Sequence, residues 1–348
     1  MGVKYRKRWL NLLSDQKVVD TFKMRTKIIK MIRQYLDDAG FMEVETSVLQ
    51  NIYGGAEAKP FSTHINALHQ NMFLRISLEI ALKKLIVGGF DKVYEIGKVF
   101  RNEGIDKTHN PEFTELEAYA SYWDYNDLMS FVEKMYEKIA LKLFGSTEVT
   151  YGEHTIDLKT PWKRITMKNA IKEYGNADVE KMTDDQLHKK LLETSVDRDK
   201  LKNATRGTLI ALLFEELAEK HLIQPHHITD HPIETTPLCK LHRDPKETEK
   251  NIVERFESFI ACCEVMNAYS ELNDPQMQRE LLVNQVKQKL AGKETAHPLD
   301  EEFIEAICQG LPPAAGFGIG IDRLIMLFTN STSIRDVIFF PIMKPEEA

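Results

Sequence analysis

The spacing of hydrophobic residues predicts the elements of the N-terminal part of the chain. From Val18 to Tyr35 they recur at helical spacing among lysines and arginines, which predicts a long amphipathic helix that Gly40 ends. From Phe41 to Thr46 apolar and polar residues alternate, as they do in a strand with one buried face. Phe73 to Ile76 is typical of a short strand, and Leu78 to Val87 is typical of a helix that two glycines stop.

Two further strand patterns and a long helix follow. Lys92 to Phe100 and Phe113 to Tyr122 each alternate like a strand, so we expect them to form an antiparallel hairpin around a long loop. Tyr125 to Phe144 has helical spacing. From 175 to 222 the chain is polar and charged, with no strand signal, which predicts a helical insertion within a single domain that spans residues 1–348.

The remaining part of the chain returns to strand patterns. Strand-like segments run from His226 to Thr229, Phe256 to Tyr269, Ala315 to Ile321 and Val337 to Pro341, and the third leads into a helix from Arg323 to Phe328. Hairpins and helices are grouped and do not strictly alternate. This order favours an α+β fold, with a mainly antiparallel sheet flanked by helices, over a doubly wound parallel sheet.

Composition and charge restrict the classes of protein. The 348 residues, 43% of them hydrophobic, are enough for one large core. No apolar run approaches the roughly 20 residues that span a bilayer, and the first residues lack the core of a signal peptide, so we expect a cytoplasmic protein with no membrane partner. A net charge of -7 argues against broad nonspecific nucleic-acid binding. The basic run from Tyr5 to Trp9 suits either a polyanion or a solvated lead into a helix.

Cysteines and histidines give little sign of a metal site. The four cysteines contain no C-x-x-C pair, so we expect reduced, buried thiols. The histidines His226, His227 and His231 have no cysteine or carboxylate at matching ligand spacing, and prolines bracket their segment. We therefore expect these histidines to serve the fold and not to bind zinc.

The loop from Phe100 to Thr114 is the strongest candidate for chemistry. It places an arginine, three carboxylates and an imidazole on one turn-forming segment carried by two strands. Arg101 and Glu103 lie two apart, so on a strand they would share a face, and the carboxylate would hold the guanidinium in place. Such a fixed fork suits a phosphate, although an isolated Arg-x-Glu pair is also a common structural ion pair.

Two later groupings extend this chemistry. Glycines alternate from Gly316 to Gly320, which leaves one strand face bare for a flat ligand, or for close packing under a helix. Their spacing does not fit the dinucleotide fingerprint. The carboxylates Glu257 and Glu264, followed by Asn267 and Glu271, suit either magnesium with phosphate or an ammonium group.

In this order the three groupings resemble the signature motifs of class II aminoacyl-tRNA synthetases. Gly40 to Thr46 resembles the first motif, Phe100 to Glu117 the second, and Gly316 to Arg323 the third. Together with the stretches Tyr53 to Phe61 and Asn267 to Pro275, they resemble the lysyl-tRNA synthetases within that class. The resemblance covers nearly the whole chain.

The resemblance implies a reaction and a role for individual residues. Lysine and ATP would form lysyl-adenylate with release of pyrophosphate, and the lysyl group would then pass to tRNA(Lys). The implied ATP-binding residues are Arg101, Glu103, His109, Asn110, Phe113, Glu257, Gly320 and Arg323, of which Arg101, Glu103 and Arg323 are catalytic. The implied lysine-binding residues are Gly55, Glu79, Glu117, Tyr119, Asn267, Tyr269 and Glu271. The implied Mg2+ ligands are Glu257 and Glu264.

The chain departs from the family pattern at three places. Ser47 stands where the first motif ordinarily ends in proline, which bears on the dimer interface that the resemblance implies. Ala261, Cys262 and Cys263 stand where the family usually has glycine or a basic residue. The chain also begins where the catalytic domain begins, so we expect an anticodon-binding OB-fold domain to be absent from it. Either the sequence is a truncated form of a longer protein, or tRNA is recognised by its acceptor end alone.

Two other readings remain open at this point. A shorter paralogue of these synthetases attaches β-lysine to elongation factor P by the same adenylate chemistry, but it carries a larger residue where this chain has Gly318. A non-catalytic synthetase-like module, kept for binding a partner, would have no reason to retain Arg101, Glu257 and Arg323 together.

Overall fold

The computed structural model of the chain describes residues 3–290 and 295–344. The ends of the predicted 1–348 domain lie outside these ranges. Within them the strands are β1 (Met42–Glu43), β2 (Leu49–Gln50), β3 (Ser62–Ile65), β4 (Gln70–Leu74), β5 (Lys92–Phe100), β6 (Glu112–Ser121), β7 (Glu148–Tyr151), β8 (His154–Asp157), β9 (Lys163–Thr166), β10 (His226–Pro232), β11 (Ile252–Ile260), β12 (Cys263–Ser270) and β13 (Ala314–Gly320). The α-helices are α1 (Val3–Arg6), α2 (Arg8–Ser14), α3 (Gln16–Asp38), α4 (Glu79–Val87), α5 (Tyr125–Phe144), α6 (Met167–Gly175), α7 (Asp184–Leu192), α8 (Arg206–Leu217), α9 (Pro245–Thr248), α10 (Pro275–Leu290), α11 (Glu301–Gly310), α12 (Ile321–Phe328) and α13 (Ile334–Val337).

Eight strands form one large sheet in the order β1-β5-β6-β13-β12-β11-β10-β9. Neighbours pair antiparallel except at the two edges, where β1 lies parallel to β5 and β9 parallel to β10. The prediction of an α+β fold with a mainly antiparallel sheet is therefore confirmed. Two smaller sheets, β2-β4-β3 and β7-β8, lie outside it.

Helices α3, α5 and α12 cover one face of the sheet. Their apolar stripes meet there in one core, in which Ile32, Val132, Leu324 and the strand residue Phe317 are almost fully buried. Because side chains alternate along a strand, the glycines on either side of Phe317 point to the opposite face. That opposite face is where the candidate site lies.

Three predicted strands differ from the observed elements. The predicted strand from Phe41 to Thr46 is only β1, because Thr46 donates its backbone N–H and its hydroxyl to the Glu95 carboxylate instead of continuing the ladder. The predicted strand from Val337 to Pro341 is absent, and its first residue is the last residue of α13. The Arg8 guanidinium donates hydrogen bonds to the carbonyls of Ile338 and Phe339 in this segment, so these carbonyls do not pair with a strand.

The predicted strand from Phe256 to Tyr269 is instead a hairpin of β11 and β12. Ala261 and Cys262 form its turn with φ of +52° and +59°. Two such residues give the twist that a two-residue hairpin loop needs, and glycine adopts this backbone most easily. The prediction of buried thiols is correct for Cys239 and wrong for the other three cysteines, because Cys262 and Cys263, in and beside the turn, are partly exposed and Cys308 is exposed.

Residues 175–222 contain helices α7 and α8 and three short 3-10 turns, and they contain no strand. Leu187, Leu213 and neighbouring apolar residues form a core of their own that packs on Ile228 and Phe259 of the sheet. Whether this segment is an insertion within the domain stays a prediction. No helix among the described residues has the length and apolar content needed to cross a membrane.

Candidate functional site

A cavity of about 390 Å³ opens on the face of the sheet away from α3, α5 and α12. It brings together residues that are far apart in the sequence, from the β5–β6 loop, β6, β11, β12, β13 and the start of α12. The predicted site residues that line it are Gly55, Glu79, Arg101, Glu103, His109, Asn110, Phe113, Glu117, Tyr119, Glu257, Glu264, Asn267, Tyr269, Gly320 and Arg323. Glu271 does not line the cavity but lies buried just beyond it, with 1% of its surface exposed.

The bare glycine face of β13 lies against β6. Gly316 pairs with Tyr119 and Gly318 with Glu117. A Cβ atom at Gly316 would come within 2.2 Å of the Tyr119 ring and 2.6 Å of the Glu271 carboxylate. The glycine is therefore required by the protein's own side chains, and not, at this position, by a flat ligand against the backbone.

One end of the cavity is acidic. Glu79, at the start of α4, accepts a hydrogen bond from the Tyr269 hydroxyl at 2.6 Å and another from the Lys83 ammonium at 2.6 Å. Lys83 also forms an ion pair with Glu271. Burial acts to lower the pKa of Lys83, but Glu271 and Glu79 together hold it above its ordinary value. This end of the cavity thus contains a cation of its own.

Glu117 is the third carboxylate at this end. It accepts hydrogen bonds from the Ser77 hydroxyl at 2.7 Å, the backbone N–H of Leu78 at 2.7 Å and the Tyr119 hydroxyl at 2.8 Å. Gly55 approaches the same serine, and its φ of +85° together with a Cβ position 2.6 Å from the Ser77 hydroxyl excludes a side chain there. Burial, and then neighbouring carboxylates, raises the pKa of Glu117 to about 8.

Arg101 marks the cationic end of the cavity. It lies just past the end of β5, where its Nε donates to the Ile76 carbonyl at 3.2 Å and its guanidinium lies 5.0 Å from the centre of the Phe113 ring. The prediction that Glu103 shares a strand face with it and holds it is wrong, because neither residue belongs to the strand. The carboxylate beside Arg101 is that of Glu115, at 3.6 Å.

Glu103 instead closes the loop. Its carboxylate accepts a hydrogen bond from the backbone N–H of Lys59 at 3.4 Å, and the residue itself is exposed. Asn110 is buried and donates to the Glu112 carbonyl at 2.6 Å, whereas its side-chain oxygen has no hydrogen-bond donor among the described residues. A buried amide oxygen of this kind is suited to accept a hydrogen bond from a ligand.

Arg323 lies in the first turn of α12 and lines the cationic end of the cavity. It donates to the Glu264 carbonyl at 2.8 Å, and its second terminal nitrogen lies 3.1 Å from His109 Nε2. The Nδ1 atom of His109 lies 2.8 Å from the Asp106 carboxylate, which favours a proton on Nδ1 and leaves Nε2 to accept. Arg101 and Arg323 are thus presented on two sides of one loop.

Glu257 and Glu264 lie on the paired strands β11 and β12. Burial, and then the Glu257 charge, raises the pKa of Glu264. This repulsion would be relieved by a divalent cation. The described residues contain no cluster of three metal-binding side chains, but Mg2+ commonly takes one or two carboxylates together with substrate phosphates. The pair therefore fits a magnesium ion that ATP helps to hold.

The three histidines of β10 have structural partners. His226 lies 2.8 Å from the Tyr174 hydroxyl, His227 lies 2.9 Å from the Ser258 hydroxyl, and His231 lies 2.9 Å from the Ile228 carbonyl. His227 also approaches Glu133 at 3.4 Å. All three side chains are at least nine-tenths buried and serve the packing of the sheet.

Sequence reasoning missed three charged residues at the site. Lys83 follows Glu79 by four residues on α4, the spacing of a helical ion pair, in a helix that is otherwise largely apolar. Glu115 alternates with Phe113 and Glu117 along β6 and so faces the cavity. Arg255 precedes Glu257 by two residues on β11, so both side chains share one face of the strand. This spacing was the signal in the sequence that could have identified Arg255.

The buried carboxylates predict how stability depends on pH. Burial, and then Glu79, raises the pKa of Glu271 to about 8 against the opposing effect of Lys83, and Glu117 also reaches about 8. Between the unfolded value near 4.5 and about 8 the folded chain holds more protons than the unfolded chain. The stabilising contribution of these groups is therefore full below that window and falls as pH rises through it.

The measurement is the melting temperature of the ligand-free protein and of a Glu117→Gln, Glu271→Gln double variant from about pH 5 to about pH 8.5. Buried histidines with a lowered pKa, such as His231, make stability rise with pH, and they do so equally in both proteins. The informative quantity is therefore the difference in melting temperature between the two proteins at each pH. We expect the wild type to lose stability relative to the variant as pH rises. A constant difference would contradict the raised pKa values.

The sequence matches a known family over nearly its whole length. The family described as tRNA synthetases class II (D, K and N) matches residues 1–344. Over 99% of its length the chain is 57% identical to the lysine–tRNA ligase of Chlamydia caviae and 56% identical to that of Chlamydia pneumoniae, and it spans 67% of each. It is 49% identical to the lysine–tRNA ligase of Clostridium kluyveri, of which it spans 68%.

Proposed function

The chain belongs to the class II tRNA synthetases, as a lysine–tRNA ligase catalytic region that uses lysine, ATP and tRNA, and from this premise we propose how its residues divide the reaction. One observation carries the proposal. A single cavity has two arginines, Arg101 and Arg323, at one end and the buried carboxylates Glu79, Glu117 and Glu271 at or beside the other. Such a polarity matches a phosphate chain on one side and an ammonium group on the other.

At the cationic end, the residues position ATP. Arg101 grips the α-phosphate with its guanidinium fork, and Arg323, held by the Glu264 carbonyl and by His109, binds the distal phosphates. The lysine carboxylate oxygen attacks the α-phosphorus as the bond to pyrophosphate breaks. The charge that spreads over the phosphate oxygens is then neutralised by cations already in place, so no covalent help from the protein is needed.

The adenine and ribose lie beside the same loop. Phe113 has the Arg101 guanidinium over its ring, and the opposite face of the ring is the one that would stack on adenine. Asn110 contributes its side-chain oxygen, which accepts no hydrogen bond from the part of the chain that the structure describes, Gly320 leaves room for the ligand beside the backbone, and Glu103 and His109 hold the loop in shape.

At the acidic end, the residues recognise lysine. The buried Glu271 and the Glu79–Tyr269 pair receive the side-chain ammonium, while Gly55 and Glu117 lie where the α-amino group would be held. Burial raises the pKa of Glu117 and Glu271 to about 8, and a substrate ammonium beside them would favour their charged form, so Lys83 would offset only part of the negative charge that this end then carries. Aspartate or asparagine would bring no side-chain cation to this end, so the carboxylates of Glu79 and Glu271 would lack the partner that lysine supplies.

The proposal extends to magnesium and to partners. Glu257 and Glu264 would hold Mg2+, which supplies charge neutralisation to the phosphates when bound.

We also infer a homodimer, because Met42, Leu49 and Ile52 expose large apolar surface beside Ser47. Transfer to tRNA(Lys) through its acceptor end, with activity in the cytoplasm, completes the proposal.

The test is amino-acid-dependent exchange of pyrophosphate into ATP, which reports adenylate formation without tRNA. It would be run in parallel with L-lysine, β-lysine, aspartate and asparagine. We expect L-lysine to drive exchange best. A preference for β-lysine would instead support the function of the paralogue that modifies elongation factor P. No exchange with any of the four amino acids would contradict the proposal that this cavity activates an amino acid. Charging of tRNA(Lys) with radiolabelled lysine tests the second step separately.

Gly316→Ala is predicted to damage lysine binding selectively. The added Cβ would displace the Tyr119 ring and the Glu271 carboxylate, which it meets at 2.2 and 2.6 Å. We expect the KM for lysine in exchange to rise about tenfold or more and the melting temperature to fall by several degrees, since overpacking costs about 1–3 kcal/mol. Gly54→Ala is the matched control, because its Cβ makes an ordinary 3.5 Å contact with Ile80. Equal effects of both variants would refute the role of Gly316.

A further inference from the structure

The Arg255 side chain lines the cavity and contacts residues assigned to both of its ends. Its Nε donates to the Asn267 side-chain oxygen at 2.8 Å, one terminal nitrogen donates to the Glu257 carboxylate at 2.5 Å, and the other donates to the Thr235 carbonyl at 3.1 Å. Only 11% of the side chain is exposed. Three acceptors from three segments therefore receive hydrogen bonds from the three nitrogens of one planar group.

This contact fixes which way the Asn267 amide faces. Arginine has only donors, so the amide must turn its oxygen toward Arg255. The amide NH2 group is then left to donate in another direction, and Asn267 lines the cavity. A pair of N–H donors at this position suits the carboxylate of an amino acid and does not suit its ammonium group.

The same guanidinium also fixes one oxygen of Glu257. With Oε1 held by Arg255, the second oxygen remains for a cation or for water. Glu257 and Asn267 are directly opposite each other in the β11–β12 ladder, so both side chains lie on the same face as Arg255. A change in the position of one is transmitted to the other through the rigid guanidinium.

The bond to the Thr235 carbonyl anchors the group from outside the hairpin. Thr235 ends the short 3-10 turn Ile233–Thr235 that follows β10. A lysine at position 255 would keep the charge, but a single ammonium nitrogen does not reach three acceptors that are arranged around a planar fork. The geometry therefore depends on the guanidinium and not on the charge alone.

We propose that Arg255 is a positioning residue that couples the lysine-binding amide of Asn267 to the magnesium-binding carboxylate of Glu257. This inference rests on the proposed function, because both partners take their substrate roles from it. Arg255 touches neither reacting group itself. Its guanidinium orients the N–H donors of Asn267 toward the lysine carboxylate and the second oxygen of Glu257 toward the cation. Lysine binding and magnesium binding therefore depend on the same side chain.

The first test is Arg255→Lys in lysine-dependent pyrophosphate exchange, with KM for lysine, KM for ATP and the Mg2+ concentration for half-maximal rate measured separately. We expect the lysine KM and the Mg2+ requirement each to rise about tenfold or more, since hydrogen bonds to charged groups contribute about 1.5–3 kcal/mol. A variant with a merely structural defect would lose kcat or melting temperature and leave both quantities unchanged. Unchanged values overturn the inference while wild-type exchange upholds the function.

A second pair of variants tests the coupling without changing Arg255. In Asn267→Asp a carboxylate oxygen still accepts from Arg255, but the N–H donors are lost, whereas Asn267→Ala removes both. Both should raise the lysine KM, and only Asn267→Ala should also raise the Mg2+ requirement, because it leaves Arg255 without its second partner. Equal Mg2+ requirements in the two variants would overturn the coupling. Wild-type silence with lysine would overturn the function and the inference together.

Discussion

Arg101→Ala is expected to lower lysine-dependent pyrophosphate exchange about a thousandfold or more, while the protein stays folded. The loss follows from the position of Arg101 at the cationic end of the cavity, where it would neutralise charge that develops on the α-phosphate. The fold should survive because the Arg101 side chain is 29% exposed and makes one hydrogen bond among the described residues, to the Ile76 carbonyl, whereas the backbone hydrogen bonds of Arg101 do not depend on its side chain. Burial raises the pKa of the neighbouring Glu115, so this carboxyl can take up a proton when the arginine is removed.

The measurement is the exchange rate at saturating lysine and ATP, together with the melting temperature. Arg279→Ala is the control, because Arg279 forms an exposed ion pair with Glu301 far from the chemistry. Arg101→Lys adds a graded outcome, since it keeps the charge and loses the two-pronged fork, and should recover only part of the rate. Near-normal exchange in Arg101→Ala would refute the α-phosphate role.

Glu271→Gln is expected to raise the KM for lysine about a hundredfold and to change the KM for ATP by less than about threefold. Glu271 is 1% exposed and pairs with Lys83, so its charge acts in a medium of low dielectric. The substitution keeps the shape of the side chain and removes the charge that attracts the substrate ammonium, a hydrogen bond to an ion of about 1.5–3 kcal/mol.

The control is Glu112→Gln, which neutralises an exposed carboxylate that is paired with Lys98 on the neighbouring strand. Exchange kinetics over lysine and ATP concentration give both constants for each variant. Equal losses for lysine and ATP would argue that Glu271 holds the sheet together and does not recognise the ammonium group. A lysine KM that stays at the wild-type value would assign the ammonium to Glu79 alone.

The sequence by itself determined the fold class, and it predicted fifteen of the residues that line the cavity. Periodicity predicted α5 and β5 at their observed bounds, because their apolar faces are continuous and clear turn or cap signals bound them. The motif around Arg101, the alternating glycines that include Gly316 and the acidic segment with Glu271 were each visible in the chain. They were visible because the residues of each motif are close together in the sequence, and their spacing predicts which side chains share a face.

Only the tertiary structure decided which charges meet. Glu103 seemed the partner of Arg101 by spacing, but the chain leaves the strand before it, and Glu115 of the neighbouring strand takes that place. Lys83 pairs with Glu79 on its own helix and also with Glu271, which is distant in sequence, and Arg255 connects Asn267 to a turn after β10. Such pairings depend on strand register and on burial. Burial strengthens the attraction between paired charges and raises the free-energy cost of an unpaired charge. Neither register nor burial can be derived from the local spacing of residues.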